Sequence, residues 1–262
     1  MGVSQDPAFS VIIASRNAAR HIGEALDSLL AYGGARCEVI VADGNSSDST
    51  TDVLAQYEPQ FGGRLRWISE PDCGIYDAMN KGLAMASAEW VVFLGADDRL
   101  AEGAFAAVEK RAADAGGADI VCGATHVFGQ GADFVELPRS FRAASIPKRA
   151  PARHQSIYVR RQALLAIGGF DTRWPIAADY DAYLRLCEVG AEEALSVAVL
   201  SEFRLGGVSS TLKVRTAAEY RDIRIAHGAT PTVEHLVMLK SLAAVWVFAA
   251  LRRAGLARGA RR

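Results

Sequence analysis

Two adjacent carboxylates, Asp97 and Asp98, directly follow the apolar run VVFL at residues 91–94. Such a run is typical of a strand that is buried on both faces of a parallel sheet. Two like charges this close disfavour full ionisation unless they share a cation. Carboxylate oxygens suit Mg²⁺ or Mn²⁺, which proteins often hold with one or two carboxylates and substrate phosphates. The pair indicates a metal site, and a solvated polar turn is the simpler alternative.

The first half of the chain alternates between strand and helix patterns, which predicts βαβ units and a mainly parallel, Rossmann-like sheet flanked by helices. The predicted strands cover residues 9–15, 37–43, 65–71 and 89–98, and the helices between them cover 18–30, a segment ending near residue 57, and 74–87.

Polar side chains follow each of these four strands. They are Ser15, Arg16 and Asn17 after the first, Asp43 at the end of the second, Glu70 and Asp72 at the third, and Asp97 and Asp98 at the fourth. Open α/β sheets bind ligands in the crevice beyond the carboxyl ends of their strands. Four consecutive strands with the same ending therefore predict a ligand site at that edge.

The second half is less regular. Residues 119–128 read as a further strand, 138–153 have the composition of a mobile surface loop, and 178–190 show a helical pattern. Beyond about residue 230 the chain is helical and apolar, and it ends in a basic tail.

Composition describes an ordinary folded protein. Of 262 residues half are hydrophobic, and 29 basic and 30 acidic residues give a formal net charge of −1. A general polyanion binder would carry a basic excess, so no nucleic-acid partner is expected. The four cysteines are far apart in sequence and form no C-x-x-C pair, and three of them lie in apolar segments, which favours a reduced, cytoplasmic protein. The start MGVSQDPAFS has neither a basic region nor an apolar run, so no signal peptide is expected.

Three familiar motifs are missing from the sequence. No G-x-G-x-x-G follows the first strand, and there is no G-x-x-x-x-G-K-[ST] and no G-x-S-x-G. The sequence therefore lacks the most specific motifs of dinucleotide dehydrogenases, P-loop enzymes and α/β-hydrolases, so none of these three classes is favoured. What remains is a sheet with carboxylates at its ligand-binding edge.

An ordered set of motifs resembles the family 2 glycosyltransferases with the GT-A fold, of the bacterial non-processive type. The motifs are FSVIIASRN, VIVADGNSSDST, SEPDCGIYDAMNKG and FLGADD, followed by RHQSIYVRR, GGFD, IAADYDAYLRL and GGVSS. Together they cover about residues 8–210. The resemblance implies an inverting transfer of a sugar from a nucleotide-diphosphate donor to a glycan or lipid-linked acceptor.

The resemblance also implies roles at the donor side. Asp43 matches the acidic residue that accepts a hydrogen bond from the base, and the region of Ser15 and Asn17 matches the first base-contacting loop. Asp97 and Asp98 match the metal-binding carboxylates, with Asp97 also facing the donor. Many members carry an acid where this chain has Gly95, which leaves an adjacent pair in place of D-x-D.

On the acceptor side, Asp179 matches the catalytic base, and Ala178 stands where many members have a Glu. The chemistry needs a carboxylate within hydrogen-bonding reach of the acceptor hydroxyl. Asp181, two residues on, points roughly opposite to Asp179 on a helix and is expected to have a helix-capping or structural role. His154 is a candidate because the family places its segment near the donor phosphates and the acceptor.

Two residues of the helix after the third strand are further donor-side candidates. Asp77 at the helix start is expected to line the sugar pocket. Lys81 is the other candidate, and a solvated position on the helix face is its alternative.

The predicted domains are a GT-A domain at 1–228, with a nucleotide-sugar half at 8–115 and an acceptor half at 116–228, and a helical extension with a basic tail at 229–262. The uninterrupted apolar run 242–251 is shorter than the roughly 20 residues that a spanning helix needs. A core or dimer helix and an interfacial helix at the inner face of the membrane both remain open.

Two other functions remain open from the sequence. A sugar nucleotidyltransferase would bind a nucleotide and a metal on a similar sheet, but ASRNAARH is not its Gly-rich basic loop. A non-catalytic nucleotide-sugar-binding or scaffold protein is the second, because of Gly95 and Ala178. Family frequency favours UDP as the nucleotide.

Overall fold

Nine strands of the described residues join in one mixed sheet in the computed structural model, which describes residues 7–141, 146, 149–206 and 213–239. The strands are β1 (Phe9–Ser15), β2 (Cys37–Asp43), β3 (Leu65–Ser69), β4 (Trp90–Gly95), β5 (Arg99–Leu100), β6 (Ile120–Gly129), β7 (Ala132–Glu136), β8 (Ile157–Arg160) and β9 (Glu193–Arg204). Their order across the sheet is β3-β2-β1-β4-β8-β6-β9-β5, and β7 pairs with β6.

Within the described ranges a helix at 231–239 comes after seven α-helices that flank or follow the strands. They are α1 (Ile22–Tyr32), α2 (Thr50–Phe61), α3 (Ile75–Met85), α4 (Ala104–Asp114), α5 (Arg161–Ala166), α6 (Ala178–Glu188) and α7 (Lys213–Ala226). One turn of 3-10 helix, His154–Ser156, leads into β8.

The centre of the sheet is built from the parallel strands β3, β2, β1 and β4. Strands β1 and β2 are rich in Val and Ile and are buried on both faces, as a parallel strand between covering layers must be. Helix α3 packs against β1 at Gly82, where a Cβ would lie 2.4 Å from Ile12 Cγ2. Glycine therefore lets α3 approach the sheet closely, which sets the position of its first turn beside the strand ends.

The predicted mainly parallel sheet is confirmed, and β1 and β2 have the predicted bounds. Helix α4 and strands β5, β7 and β9 were not predicted. Strand β9 runs parallel to β6 with irregular register between residues 122 and 125 of β6. Such an irregularity blurs the period-two pattern by which strands are recognised in sequence.

The chain divides into two compact units, Met1–Gly207 and Val208–Arg262, and the domain boundary at 228 stays a prediction. The predicted boundary falls in the turn between α7 and a helix at 231–239. These two helices are joined by the buried ion pair of Arg224 with Glu234 (2.7 Å).

Two predicted segments extend beyond the described residues. In the predicted loop 138–153, residues 142–145, 147 and 148 lie outside them. The apolar run and basic tail at 240–262 also lie outside them. Of the helices in the described ranges, none combines the length and the apolar character needed to cross a membrane.

Candidate active site

The carboxyl ends of the four central strands meet at one edge of the sheet. In the parallel register Asp43 lies between Ser15 and Ser69, and Gly95 lies opposite Ala14 on the next strand. The polar residues that follow separate strands are thus brought together, as expected. The acidic pair begins two residues after Gly95.

Asp43 is a buried anion at this edge, with 2% of its surface exposed. It accepts hydrogen bonds from Ser15 Oγ (3.0 Å), Ser46 Oγ (2.5 Å), the Ser46 N–H (2.8 Å) and Ser69 Oγ (2.7 Å). Burial acts to raise the pKa of Asp43, but these hydrogen bonds outweigh it and hold the pKa below its ordinary value. Since a carboxylate offers about four acceptor positions, a ligand N–H would have to displace one of these donors.

Asn17 shapes the two loops beside Asp43. Its backbone has φ 51°, in the left-handed region that Asn tolerates better than most residues. Its side-chain oxygen accepts from the Ser47 N–H (2.8 Å), and its own N–H donates to Ser46 Oγ (2.7 Å). Asn17 therefore fixes Ser46, which in turn contacts Asp43.

Asp98 is the buried member of the acidic pair, with 1% exposed, whereas Asp97 is partly exposed. Asp98 Oδ2 accepts a hydrogen bond from Gln155 Nε2 (2.6 Å), and Asp98 Oδ1 accepts one from the Arg204 N–H (2.9 Å). Burial, followed by the charge of Asp97, raises the pKa of Asp98 to about 7, although both hydrogen bonds act to lower it. Asp43 and Asp98 are thus both buried, but only Asp98 is costly to ionise.

Gly95 leaves the space that the Asp98 carboxylate occupies. A Cβ at this position would lie 2.3 Å from Asp98 Oδ2 and 3.2 Å from Asp97 Oδ1. The acid that many members of the resembling family carry here is therefore incompatible with the observed orientation of Asp98. The absence of an acidic side chain at position 95 is therefore what gives the buried Asp98 carboxylate its space.

The acidic pair would suit a divalent cation only if the remaining ligands came from a bound phosphate group or water. The buried, costly charge of Asp98 beside Asp97 is the environment that a cation stabilises. Within the described part of the chain, no group of three His, Cys, Asp or Glu residues could hold a metal ion. Mg²⁺ commonly takes only one or two carboxylates from the protein and the rest from phosphates and water.

A cluster of charged side chains supports the Arg204 backbone that binds Asp98. The guanidinium groups of Arg204 and Arg99 lie over the Phe128 ring, 4.9 and 5.0 Å from its centroid. Both also form ion pairs with Glu24. This cluster joins helix α1 to strands β5, β6 and β9. It thereby fixes the end of β9, where the Arg204 N–H donates to Asp98.

Asp179 lies in the first turn of α6 with 17% of its side chain exposed. Its Oδ1 accepts from Tyr76 Oη (3.1 Å), and the same hydroxyl lies 2.9 Å from the carbonyl of Ile176. Its Oδ2 lies 3.8 Å from Nδ1 of His154. Burial lowers the pKa of His154, against the charge of Asp179, so a neutral imidazole faces the carboxylate near pH 7. The Asp179 carboxylate is oriented by neighbours and remains partly open.

The 3-10 turn at His154–Ser156 connects the two acidic positions. His154 approaches Asp179, and the next residue, Gln155, donates to Asp98. Two residues that are neighbours in sequence thus contact carboxylates that are 81 positions apart (179 − 98). Asp98 and Asp179 are therefore linked through one short turn.

Asp77 and Lys81 hold the loop between β3 and α3. Asp77 Oδ2 accepts from the Cys73 N–H (3.1 Å). Lys81 Nζ donates to the carbonyl of Pro71 (2.8 Å) and pairs with Glu70 (2.9 Å). These contacts shape the loop, and none of them reaches Asp98 or Asp179.

Asp181 is buried and forms an ion pair with Arg185 (2.7 Å). Arg185 also donates to the carbonyls of Ile167 (2.5 Å) and Gly169 (2.8 Å). Asp181 thus anchors the loop before α6, consistent with the structural role expected for it, while Asp179 faces the site.

Sequence reasoning assigned no site role to Gln155, Tyr76 or Arg204. Gln155 follows His154 directly, and Tyr76 precedes Asp77, so both lie inside motifs that were recognised. Arg204 contributes its backbone N–H to Asp98, and no side-chain pattern reveals a backbone donor. It also ends β9, a strand that was not predicted.

The sheet and its acidic edge define a GT-A type glycosyltransferase fold. S. aureus TarS 1–349, solved in complex with UDP-GlcNAc, matches with TM-score 0.66 and 16% identity over 89% of this chain and 71% of that chain. The chain spans only 41% of a longer TarS structure. The mannosyltransferase PcManGT from Pyrobaculum calidifontis, solved with GDP-Man and Mn²⁺, matches with TM-score 0.69 and 21% identity over 98% of this chain and 77% of that chain.

The chain belongs to glycosyltransferase family 2, because the model described as Glycosyl transferase family 2 matches residues 10–172. A PGL/p-HBAD biosynthesis glycosyltransferase of Mycobacterium bovis is 33% identical over 215 residues, which cover 79% of this chain and 80% of the relative. The resemblance inferred from the motifs is confirmed.

Proposed function

We propose that the protein transfers a sugar from a nucleotide-diphosphate donor to a hydroxyl acceptor with inversion of the anomeric centre. The observation that carries this proposal is the His154–Ser156 turn, which contacts both Asp98 and Asp179. A carboxylate pair that holds a cation for the diphosphate and a separate, partly exposed carboxylate that acts as the base together suit a single displacement.

In the proposed step Asp179 accepts the proton of the acceptor hydroxyl as its oxygen bonds to the anomeric carbon. The bond from that carbon to the diphosphate oxygen breaks, and the electron pair leaves with the nucleotide diphosphate. Attack from the side opposite the leaving group inverts the centre. Tyr76 orients Asp179 through its hydroxyl, and the neutral His154 adds no competing positive charge to the carboxylate.

Asp97 and Asp98 would hold Mg²⁺ or Mn²⁺ together with the donor diphosphate. The cation would stabilise the negative charge that develops on the leaving group. Support comes from the fit of the acidic pair and from the Mn²⁺ bound in the PcManGT structure. Ser15, Asn17 and Asp43 would contact the nucleoside of the donor, and UDP is the first choice for the nucleotide.

The proposed acceptor is a glycan or a lipid-linked hydroxyl compound. Its support is the name of the mycobacterial relatives, which refers to PGL/p-HBAD biosynthesis. Contact of the basic tail with the inner face of the membrane would bring the site to such an acceptor. Co-sedimentation of the full chain with anionic vesicles should fail when the tail arginines at 252, 253, 258, 261 and 262 are replaced by Gln.

The test of the proposed reaction begins with calorimetric titration of UDP, GDP and dTDP, each with Mn²⁺ or with EDTA. The UDP-, GDP- or dTDP-sugars of the nucleotide that binds are then tested for hydrolysis, with water as the acceptor, and NMR records the anomer that is released. We expect metal-dependent binding of one nucleotide and initial release of the inverted anomer.

Asp179→Asn should keep nucleotide binding and lose at least a hundredfold in hydrolysis rate, the lower end of a general base's contribution. Asp171→Asn is the matched control, because Asp171 pairs with Arg173 in the loop before α6, whereas Asp179 contacts Tyr76 and His154. Full hydrolysis by Asp179→Asn would refute the assignment of the base. Nucleotide binding by wild type without turnover of any donor would favour a non-catalytic binding protein.

A further inference from the structure

Gln155 is a buried amide that takes no part in the reaction proposed above. It is 4% exposed, and its Nε2 donates to Asp98 Oδ2 at 2.6 Å. A neutral donor facing a carboxylate at this distance forms a strong, charge-assisted hydrogen bond. The amide therefore influences which way the Asp98 carboxylate faces.

The turn that carries Gln155 is anchored from the sheet side. Ser156 is fully buried and contacts Thr125 Oγ1 (2.7 Å), the carbonyl of Ala124 (3.0 Å) and Ser201 Oγ (2.6 Å). Since these partners lie on β6 and β9, the backbone of the turn is held independently of Asp98. Gln155 thus projects from a fixed support.

Without Gln155 the Asp98 carboxylate would keep one hydrogen bond, from the Arg204 N–H to Oδ1. One bond to one oxygen leaves the carboxylate free to rotate about its terminal torsion, which has a broad energy profile. Repulsion by Asp97 and the cost of burial both favour a rotation that moves the Asp98 charge away from Asp97 and from the buried position. Gln155 opposes that rotation by holding the second oxygen.

We propose that Gln155 is a positioning residue, which orients Asp98 to bind a divalent cation together with the donor diphosphate. The inference rests on the proposed function, since it assumes that the acidic pair holds the cation. It adds a residue that touches neither donor nor cation and acts through Asp98. Partners of this kind typically change metal affinity 10- to 100-fold when removed.

The experiment measures the Mn²⁺ concentration that gives half-maximal UDP binding, by calorimetry on the full-length protein, with GDP or dTDP used instead if wild type prefers it. Gln155→Met keeps the length of the side chain and removes the donor, and Gln155→Asn keeps the amide but is one methylene too short to reach Asp98. Both variants should need about 10- to 100-fold more Mn²⁺ than wild type.

Thr125→Val is the matched control, because it removes one buried hydrogen bond from the same turn without touching Asp98. The melting temperature of each variant measures how much the substitution destabilises the fold. We expect similar losses of melting temperature for Gln155→Met and Thr125→Val, and a changed Mn²⁺ requirement for the Gln155 variants alone.

The outcomes separate the two proposals. If the wild type binds none of the three nucleotides in a metal-dependent way, the proposed donor site is refuted. The positioning role of Gln155 is then refuted as well, because it depends on that site. If wild type binds and the Gln155 variants need the same Mn²⁺ concentration, only the positioning role is refuted. An equal shift in Thr125→Val would also overturn it, since the effect would then come from the turn as a whole.

Discussion

Replacing Asp98 by Asn should stabilise the protein in the absence of ligands while it abolishes metal-dependent donor binding. The introduced amide can accept from the Arg204 N–H, and Gln155 can turn its own amide to accept from the new N–H₂ group, so both hydrogen bonds persist. What disappears is the cost of ionising a buried carboxyl group.

The pKa of Asp98 rises from its ordinary value of 3.8 to about 7 on folding. At about 1.4 kcal/mol for each unit, ionisation lowers the free energy of unfolding of the wild type by up to roughly 4 kcal/mol. A group whose pKa is raised in the folded state is protonated in both states at low pH, so its penalty vanishes there and grows as the pH rises. The advantage of Asp98→Asn should therefore be close to zero at pH 3, about 2 kcal/mol at pH 5 and about 4 kcal/mol at pH 8.

Urea unfolding of both proteins between pH 5 and pH 8 measures this difference, and near-equal m-values would show that the comparison is valid. Addition of Mn²⁺ with the nucleotide that binds should stabilise the wild type and leave Asp98→Asn unchanged. A stability difference that does not change with pH would refute the reasoning, as would a variant less stable than wild type at pH 8.

Three further predictions concern single side chains. Tyr76→Phe should lower kcat for donor hydrolysis about tenfold with the donor KM unchanged, because Asp179 loses one hydrogen bond; an unchanged kcat would exclude the orienting role. Gly95→Ala should weaken Mn²⁺-dependent nucleotide binding at least tenfold, since its Cβ would lie 2.3 Å from Asp98 Oδ2; calorimetry showing wild-type affinity would contradict this. Tyr158→Phe should raise the free energy of unfolding in urea by about 1 kcal/mol, because its buried hydroxyl has no hydrogen-bonding partner among the described residues; a loss of stability would reveal a hidden partner.

The sequence alone was sufficient for the central sheet and for the edge that carries the site. Strands β1 and β2 were located residue by residue, because runs of Val and Ile with turn residues at both ends are a local signal. Parallel pairing then required the polar residues after each strand to meet at one edge, and Ser15 and Asp43 do. Periodicity also separated Asp179 from Asp181, since residues two apart on a helix face different directions.

The tertiary structure alone decided what surrounds each carboxylate. Asp98 contacts Gln155, 57 positions away, and Arg204, 106 positions away, while Asp179 contacts Tyr76, 103 positions away. No local pattern encodes these pairs, because each depends on how separately formed elements pack. The same packing makes Asp43 an easily ionised carboxylate and Asp98 a costly one, although both simply follow a buried strand in sequence. Residue type and spacing thus determined which strand ends and which helix carry the carboxylates, whereas long-range packing determined their partners, their charge and their orientation.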